Sequence, residues 1–211
     1  MASTACYALR LHAVAAPLWV GLTQALEGIA GNTMARDLKS VPLLAQDQET
    51  DAFLTEFQTE SDRAAAVLGP AMLDDMLKKL IQASLSSENL GERLLGQMRP
   101  LGTFSSRISI AEAIGLISPE EARDLDRLRG IRNEFAHSLN GIDFENQSVK
   151  DRCQQFISVR KVLALEENNV FANHYPNNPR SRFNLAVTLS MVHISSRLAQ
   201  ARRFQCPDDP L

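Results

Sequence analysis

The chain has 211 residues, of which 45% are hydrophobic and 22% are charged, and its 22 basic and 25 acidic side chains give a net charge of −3. This apolar fraction excludes a mainly disordered chain. The slightly acidic balance argues against a protein that coats nucleic acid by charge alone, although it leaves room for a local basic site. The length predicts one domain, or one domain with an appendage.

The cysteines indicate the compartment. Cys6, Cys153 and Cys206 are far apart and form no CxxC pair, which argues against a disulfide framework or a zinc knuckle and favours a reducing cytoplasm. The longest uncharged run near the N-terminus, residues 13–26, is too short to span a bilayer. We therefore expect a cytoplasmic protein without a membrane segment.

Residues 1–46 are predicted to form an N-terminal extension to the main domain, which would occupy residues 47–211. The extension contains the only tryptophan, Trp19, and a loosely spaced set of apolar residues that is typical of a helix. The Gly31-Asn32 pair ends this run, and Pro42 marks a further break. We therefore expect the extension to be helical.

The main domain is predicted to begin with helical sequence from Thr50 to Ile81. Thr50 is a suitable N-cap, and the apolar residues that follow recur at i, i+3, i+4 and i+7. Gly69-Pro70 lies inside this stretch and is expected to kink the helix or to divide it in two. Residues 86–103 have no sustained period and are predicted to be a connection.

The clearest helix boundary lies at residues 118–121. Ser118 is the predicted N-cap, a proline takes the first helical position, and Glu121 completes a capping box. This helix should run to about Leu139, with Asn140-Gly141 as a left-handed stop. Further helices are predicted over residues 105–116, 149–166 and 183–203, with a polar loop at 168–182. No stretch alternates as a strand, so the predicted fold is an all-α bundle of about five long helices.

The segment that carries chemistry is the C-terminal half of the helix that begins after Ser118. At about 100° per residue, its leucine, isoleucine and phenylalanine residues form one stripe that faces the core. Arg129, Asn133 and His137 follow one another at i+4 spacing on an adjacent face. Arg132 lies at the border of the stripe, about 140° around the helix from His137.

These residue types are suited to a scissile phosphate. The guanidinium of Arg132 would hold the phosphate, His137 would move a proton to or from a ribose hydroxyl, and Asn133 would orient either group. RNA supplies its own nucleophile, the 2′-hydroxyl, so no metal or other cofactor is required. The structural alternative is that Arg132 pairs with Glu134 or Asp124, and that His137 caps the helix.

The segment Arg132-Asn133-Glu134-Phe135-Ala136-His137 resembles the R-N-x-x-x-H signature of HEPN domains. This resemblance implies an all-α bundle, usually dimeric, and in many members a metal-independent endoribonuclease that acts as a toxin or in phage defence. It also implies that Arg132 and His137 are catalytic and meet across the cleft of a homodimer, with Asn133 in a supporting role.

A wider stretch, over about residues 50–145, resembles the mannitol operon repressor (MltR-like) family of bacterial regulators. The residues that carry this resemblance lie in four segments before the Arg-Asn-x-x-x-His segment: 60–66, 73–77, 101–108 and 115–118. The family name implies control of transcription. No helix-turn-helix is evident, and the helix after Pro119 carries Asp124 and Asp126, which makes it a poor recognition helix. Direct DNA binding is therefore doubtful, and regulation through a protein partner or RNA fits better.

Two further groups of residues leave alternatives open. Arg107 and Arg129 belong to a run of arginines that would suit a phosphate backbone, or else form a solvated face balanced by acidic residues. Ser105, at the predicted start of a helix, would hold a phosphate with the backbone amides or would cap the helix. Glu60, Asp62 and Arg63 are expected to form ion pairs within the bundle, with Arg107 or Arg132 among the partners.

Two hypotheses for function follow. The first is a metal-independent endoribonuclease of the toxin or defence type, which would act as a homodimer on RNA and be restrained by an antitoxin partner. The alternative is a non-catalytic transcriptional regulator, similar to the mannitol operon repressor, that works through protein–protein contacts.

Overall fold

The computed structural model describes residues 53, 57, 59–138, 141–164 and 178–205. The chain divides into two compact units, residues 1–42 with 160–177 and residues 43–159 with 178–211, and most of the described residues belong to the second unit. The predicted extension over residues 1–46, the predicted cap Thr50 and most of the predicted loop at 168–182 lie outside the described residues.

The described part of the chain contains helices and no strand, which confirms the predicted all-α class. The helices are α1 (Asp62–Ser84), α2 (Glu88–Leu95), α3 (Phe104–Ala113), α4 (Pro119–His137), α5 (Gln147–Gln154), α6 (Ile157–Ala164) and α7 (Pro179–Ala199). Three of them are long, with 23, 19 and 21 residues in α1, α4 and α7, and the others have eight to ten residues. The prediction of about five long helices concerns the whole chain, and the described residues contain three of that length.

The core lies between the three long helices. Helix α1 packs against α7, α4 and α3, and α4 also contacts α3, α7 and α5. The predicted apolar stripe of α4 is fully buried at Leu125, Leu128, Ile131 and Phe135. The remaining surface of α4 is thereby left to carry the polar residues Arg132, Asn133 and His137.

Helix α1 is not divided at Gly69-Pro70, because tertiary packing outweighs the lost backbone hydrogen bond. Gly69 lies so close to its neighbours that a Cβ there would approach Phe57 and Val187 to 3.0 Å. The glycine thus lets α1 and α7 pack closely. The helix begins after Ser61, whose side chain accepts a hydrogen bond from the Ala64 amide.

The region predicted to be a connection, residues 86–103, contains the short helix α2, of which Gly91 and Leu95 are buried. Helix α3 begins one residue earlier than predicted. Its cap is Thr103, which forms a capping box with Ser106. It also ends earlier, because Gly115 has φ +74° and turns the chain in the left-handed region.

Helix α4 confirms the predicted start and corrects the predicted end. The Ser118 hydroxyl accepts from the Glu121 amide at 3.3 Å, and the Glu121 carboxylate accepts from the Ser118 amide at 2.6 Å. The helix ends at His137, two residues before Leu139, because Ser138 is extended with φ −75° and ψ 112°. Of the predicted stop, Gly141 does not have a positive φ, and Asn140 lies outside the described residues.

The helix predicted over residues 149–166 is two helices, α5 and α6, and Asp124 explains the break. Its carboxylate accepts hydrogen bonds from the amides of Ile157 at 2.9 Å and Ser158 at 2.8 Å, and from the Ser158 hydroxyl at 2.8 Å. A carboxylate at a helix N-terminus satisfies amides that have no partner within the helix. Asp124 therefore fixes the start of α6.

Helix α7 also begins earlier than predicted, at Pro179 rather than Phe183, because Asn178 caps it by accepting from the Ser181 amide at 2.8 Å. It ends at Ala199, before the predicted Arg203. Phe183 lies in the core, where it contacts the rings of Phe57 and Phe144.

Cys153 is a buried free thiol on α5. Burial raises its pKa to about 12, despite the opposing effect of Arg182. Because the thiolate is the reactive form, we expect native protein at pH 8 to leave Cys153 unlabelled by iodoacetamide, whereas protein in urea is labelled. Mass spectrometry of the peptide that contains Cys153 checks this, and rapid labelling of the native protein would contradict the burial.

Candidate functional site

The predicted site lies on the last two turns of α4. Arg132 and Asn133 are partly exposed and His137 is exposed. Within the described part of the chain, none of these three side chains makes a hydrogen bond or an ion pair. Since Arg132 and His137 project about 140° apart on an ideal helix, one copy of α4 does not by itself bring the guanidinium and the imidazole together.

The carboxylates suggested as partners of Arg132 are engaged elsewhere. Glu134 accepts from the Ser148 hydroxyl, and its carboxylate lies 3.6 Å from Nε of Arg152. Asp124 pairs with Arg127 at 2.9 Å in addition to holding α6. The structural alternative for Arg132 is therefore wrong for both partners, and Arg132 is not used within the described residues.

Arg63 is a residue that the sequence analysis did not place at this site. Its Nη2 donates to the carbonyl of Ser138 at 2.7 Å, and the side chain is exposed. Ser138 directly follows His137, so the start of α1 brings a guanidinium to the C-terminal end of α4, one residue beyond His137. The contact is made across 75 residues of sequence, and no local pattern indicates it.

Neither Glu60 nor Asp62 forms the expected ion pair with Arg107 or Arg132 among the described residues, and Arg63 forms no ion pair there. Asp62 pairs instead with Arg180 at 3.1 Å, and Arg63 donates to a backbone carbonyl. Arg180 lies just inside α7, in a stretch that the sequence analysis assigned to a loop.

Arg107 does not present its guanidinium to a ligand. The residue is 7% exposed, and its Nη1 lies 2.5 Å from Asp74. Its Nη2 donates to the carbonyls of Leu95 and Gly102, at the two ends of the connection between α2 and α3. Arg107 is therefore a structural residue, and we remove it from the candidate nucleic-acid contacts.

The other two predicted nucleic-acid contacts lie on the surface. Ser105 is exposed in the first turn of α3, but Thr103 rather than Ser105 caps that helix, so the capping alternative is wrong. Arg129 is one-third exposed and pairs with Asp126 at 3.0 Å. Neither side chain contacts Arg132 or His137 through a hydrogen bond or ion pair that the described residues show.

Gly130 accounts for how α5 lies against the motif. A Cβ at this position would come within 2.6 Å of Nη1 of Arg152, so the missing side chain leaves space for the Arg152 guanidinium over α4. The guanidinium is thereby held near Glu134, one turn before His137.

Gly130→Ala is expected to raise the free energy of unfolding by up to about 1 kcal/mol, because alanine favours the helix and Arg152 is a flexible, 45% exposed side chain that can move away. Urea denaturation measures this. In an Arg152→Ala background no side chain has to move away from the new Cβ. The increase in the free energy of unfolding should therefore be at least as large there. A loss of more than about 1 kcal/mol would show that the Arg152 position is rigidly required.

A second polar cluster joins α4 to α7. The Glu121 carboxylate lies 2.7 Å from Nη2 of Arg197 and 3.3 Å from Nδ1 of His193. Burial raises the pKa of Glu121, but the hydrogen bonds from Ser118 and Arg197 outweigh burial and lower the pKa below its usual value. Glu121 thus caps α4 and ties it to α7, which is a structural role.

No other feature of the described residues indicates a catalytic centre or a metal site. A cavity of about 360 Å³ is lined by Ser86, Ser87, Glu88, Asn89 and Arg203, none of which belongs to the motif. No group of three or more histidine, cysteine or acidic residues in the described ranges could hold a metal ion. Within those ranges there is also no helix with the length and apolarity that crossing a membrane requires.

Comparison with known proteins identifies the fold. The chain is similar to a chain in the X-ray structure of the MtlR–HPr complex from Escherichia coli, with 20% sequence identity and a TM-score of 0.54. The match covers 69% of this chain and 97% of that chain. At this identity the similarity establishes a common fold. No protein-family model and no curated protein sequence matches the chain.

Proposed function

We propose that the protein is a non-catalytic regulator that acts by binding a partner protein. The observation that carries this proposal is the shared fold, which extends over almost the whole of a chain from the MtlR–HPr complex. It agrees with the resemblance of residues 50–145 to the mannitol operon repressor family. By analogy, a protein of the HPr type is the first partner to test.

The geometry of α4 supports contact rather than catalysis. A general acid or base needs to lie within hydrogen-bond reach of the reacting group, in a place from which water can be excluded. His137 is exposed at the end of a helix, and Arg132 projects from another side of it. An exposed helix end with unused polar groups suits the rim of a protein interface.

In a reducing cytoplasm, Cys153 would remain a buried thiol.

Titration calorimetry with purified HPr tests this proposal. We expect a saturable isotherm with a Kd below about 100 μM, typical of a transient regulatory contact. A Cys153→Ala variant serves as a control, because the substitution changes a buried thiol and leaves the exposed side chains as they are. Absence of heat at concentrations several times higher would contradict an HPr-type partner.

A second candidate function, a metal-independent endoribonuclease, is favoured by the intact Arg132-Asn133-…-His137 spacing. Because one copy of α4 separates Arg132 from His137, this function requires a homodimer in which each copy completes the other's site. His137 would take the proton from the 2′-hydroxyl, whose oxygen attacks phosphorus to form a 2′,3′-cyclic phosphate as the bond to the 5′-oxygen breaks. The 5′-oxygen would leave with the bonding electron pair and take up a proton from water. Arg132 would stabilise the charge on the phosphate.

Growth of cells that express the chain tests the second candidate. A ribonuclease toxin should arrest growth, and His137→Ala should relieve the arrest at equal protein level. A regulator should leave growth unchanged in both cases. Arrest by wild type that persists with His137→Ala would count against both the catalytic role of His137 and the toxin interpretation.

A further inference from the structure

The end of α4 carries positive charge that the described residues do not neutralise. Arg63 uses one hydrogen bond, from Nη2 to the neutral carbonyl of Ser138 at 2.7 Å. A guanidinium has five N–H donors, and Arg63 makes no other hydrogen bond or ion pair within the described part of the chain. His137, the residue before Ser138, adds an exposed imidazole at the same helix end.

Two acidic residues near this end, Asp62 and Glu134, already have partners. Asp62, adjacent to Arg63, pairs with Arg180 at 3.1 Å and accepts from the Phe144 amide at 3.2 Å. Glu134, one turn before His137, is held by Ser148 and Arg152. Arg63 is therefore a cation at this helix end that no carboxylate of the described residues pairs with, although the whole chain has a net charge of −3.

Asn133 extends the surface along α4. It lies four residues before His137, on the neighbouring position of the same helix face, and its side chain makes no hydrogen bond with the described residues. A guanidinium fork, an imidazole and an amide together offer donors to carboxylate oxygens. We call Arg63, Asn133 and His137 the α4-end site.

We infer that the α4-end site is the surface through which this regulator binds an acidic segment of its partner protein, an inference that rests on the proposed function. The small number of cationic groups at the α4-end site favours a protein over a nucleic acid as the partner. A nucleic-acid backbone is bound by neutralising several phosphates in a row. Arg63 and His137 instead match one or two carboxylates.

Fluorescence anisotropy tests the inference, with a labelled twelve-residue peptide of Glu, Gly and Ser and a labelled single-stranded RNA of twelve nucleotides, both at low salt. We expect the peptide to bind saturably and Arg63→Gln and His137→Gln each to weaken binding by about fivefold or more. Arg93→Gln is the matched control, because it removes the same charge from an exposed position on α2 and should change little.

Arg63→Lys keeps the positive charge and serves as a second variant in case Arg63→Gln does not fold. Circular dichroism monitors the folding of every variant. Equal weakening by all the glutamine variants, or no saturable binding of the peptide, would overturn the inference. So would RNA that binds more tightly than the peptide with the same dependence on Arg63 and His137.

The titration with HPr separates this inference from the proposed function. If HPr binds wild type and Arg63→Gln equally well, the proposed function stands and the α4-end site is wrong. If HPr does not bind wild type but binding of the peptide depends on Arg63 and His137, the α4-end site is supported and the proposal of an HPr-type partner is wrong.

Discussion

Asp124→Asn is expected to lower the free energy of unfolding by about 3 kcal/mol. Asp124 is 2% exposed, and its carboxylate accepts three hydrogen bonds from the start of α6 and one from Arg127. Asparagine has a single acceptor oxygen and would direct its amide donors at groups that also donate. Urea denaturation followed by circular dichroism measures the loss.

Arg127→Gln is the matched control for this prediction. It removes the charge partner of Asp124 but leaves the carboxylate with its three donors from Ile157 and Ser158, so we expect a loss of about 1 kcal/mol. A loss in Asp124→Asn no greater than in Arg127→Gln would show that the hydrogen bonds to α6 contribute little. The account of the break between α5 and α6 would then be wrong.

Arg180→Ala should be the other strongly destabilising substitution, with a loss of about 3 kcal/mol. Its guanidinium donates to the carbonyls of Phe57 at 3.2 Å, Glu60 at 3.2 Å and Ser61 at 3.3 Å, and pairs with Asp62. It also lies 5.2 Å from the centre of the Phe144 ring. Burial lowers the pKa of Arg180, with Asp62 opposing this effect.

Arg180→Lys tests whether the planar fork matters. Lysine keeps the charge and the pair with Asp62, but a single ammonium does not reach three carbonyls, so more than half of the alanine loss should remain. Urea denaturation of both variants gives the comparison. Full recovery of stability with lysine would show that only the charge is required, and that the hydrogen bonds to the carbonyls contribute nothing.

The part of the fold that could be predicted rests on local signals. The capping box of Ser118 and Glu121 and the apolar stripe from Leu125 to Phe135 fixed the start and orientation of α4, because both depend on residues a few positions apart. The break between α5 and α6 could not be predicted. It depends on Asp124, which is 33 residues from Ile157 in sequence.

The candidate site was predicted in part for the same reason. The spacing of Arg132, Asn133 and His137 predicts that they lie at one end of a helix. The structure places them at the C-terminal end of α4. Arg63 was missed because it reaches Ser138 only through the packing of α1 against α4. Arg107 was placed on the surface because a run of arginines does not reveal which of them has a buried partner such as Asp74.

The measurement that tests the account most directly is RNA cleavage in the presence of a metal chelator. Wild type and His137→Ala are incubated with the same RNA at equal concentration, after light scattering has established the oligomeric state of each. A regulator that works through protein contacts predicts intact RNA in both reactions. Cleavage by wild type that is lost in His137→Ala would contradict the account and establish the ribonuclease.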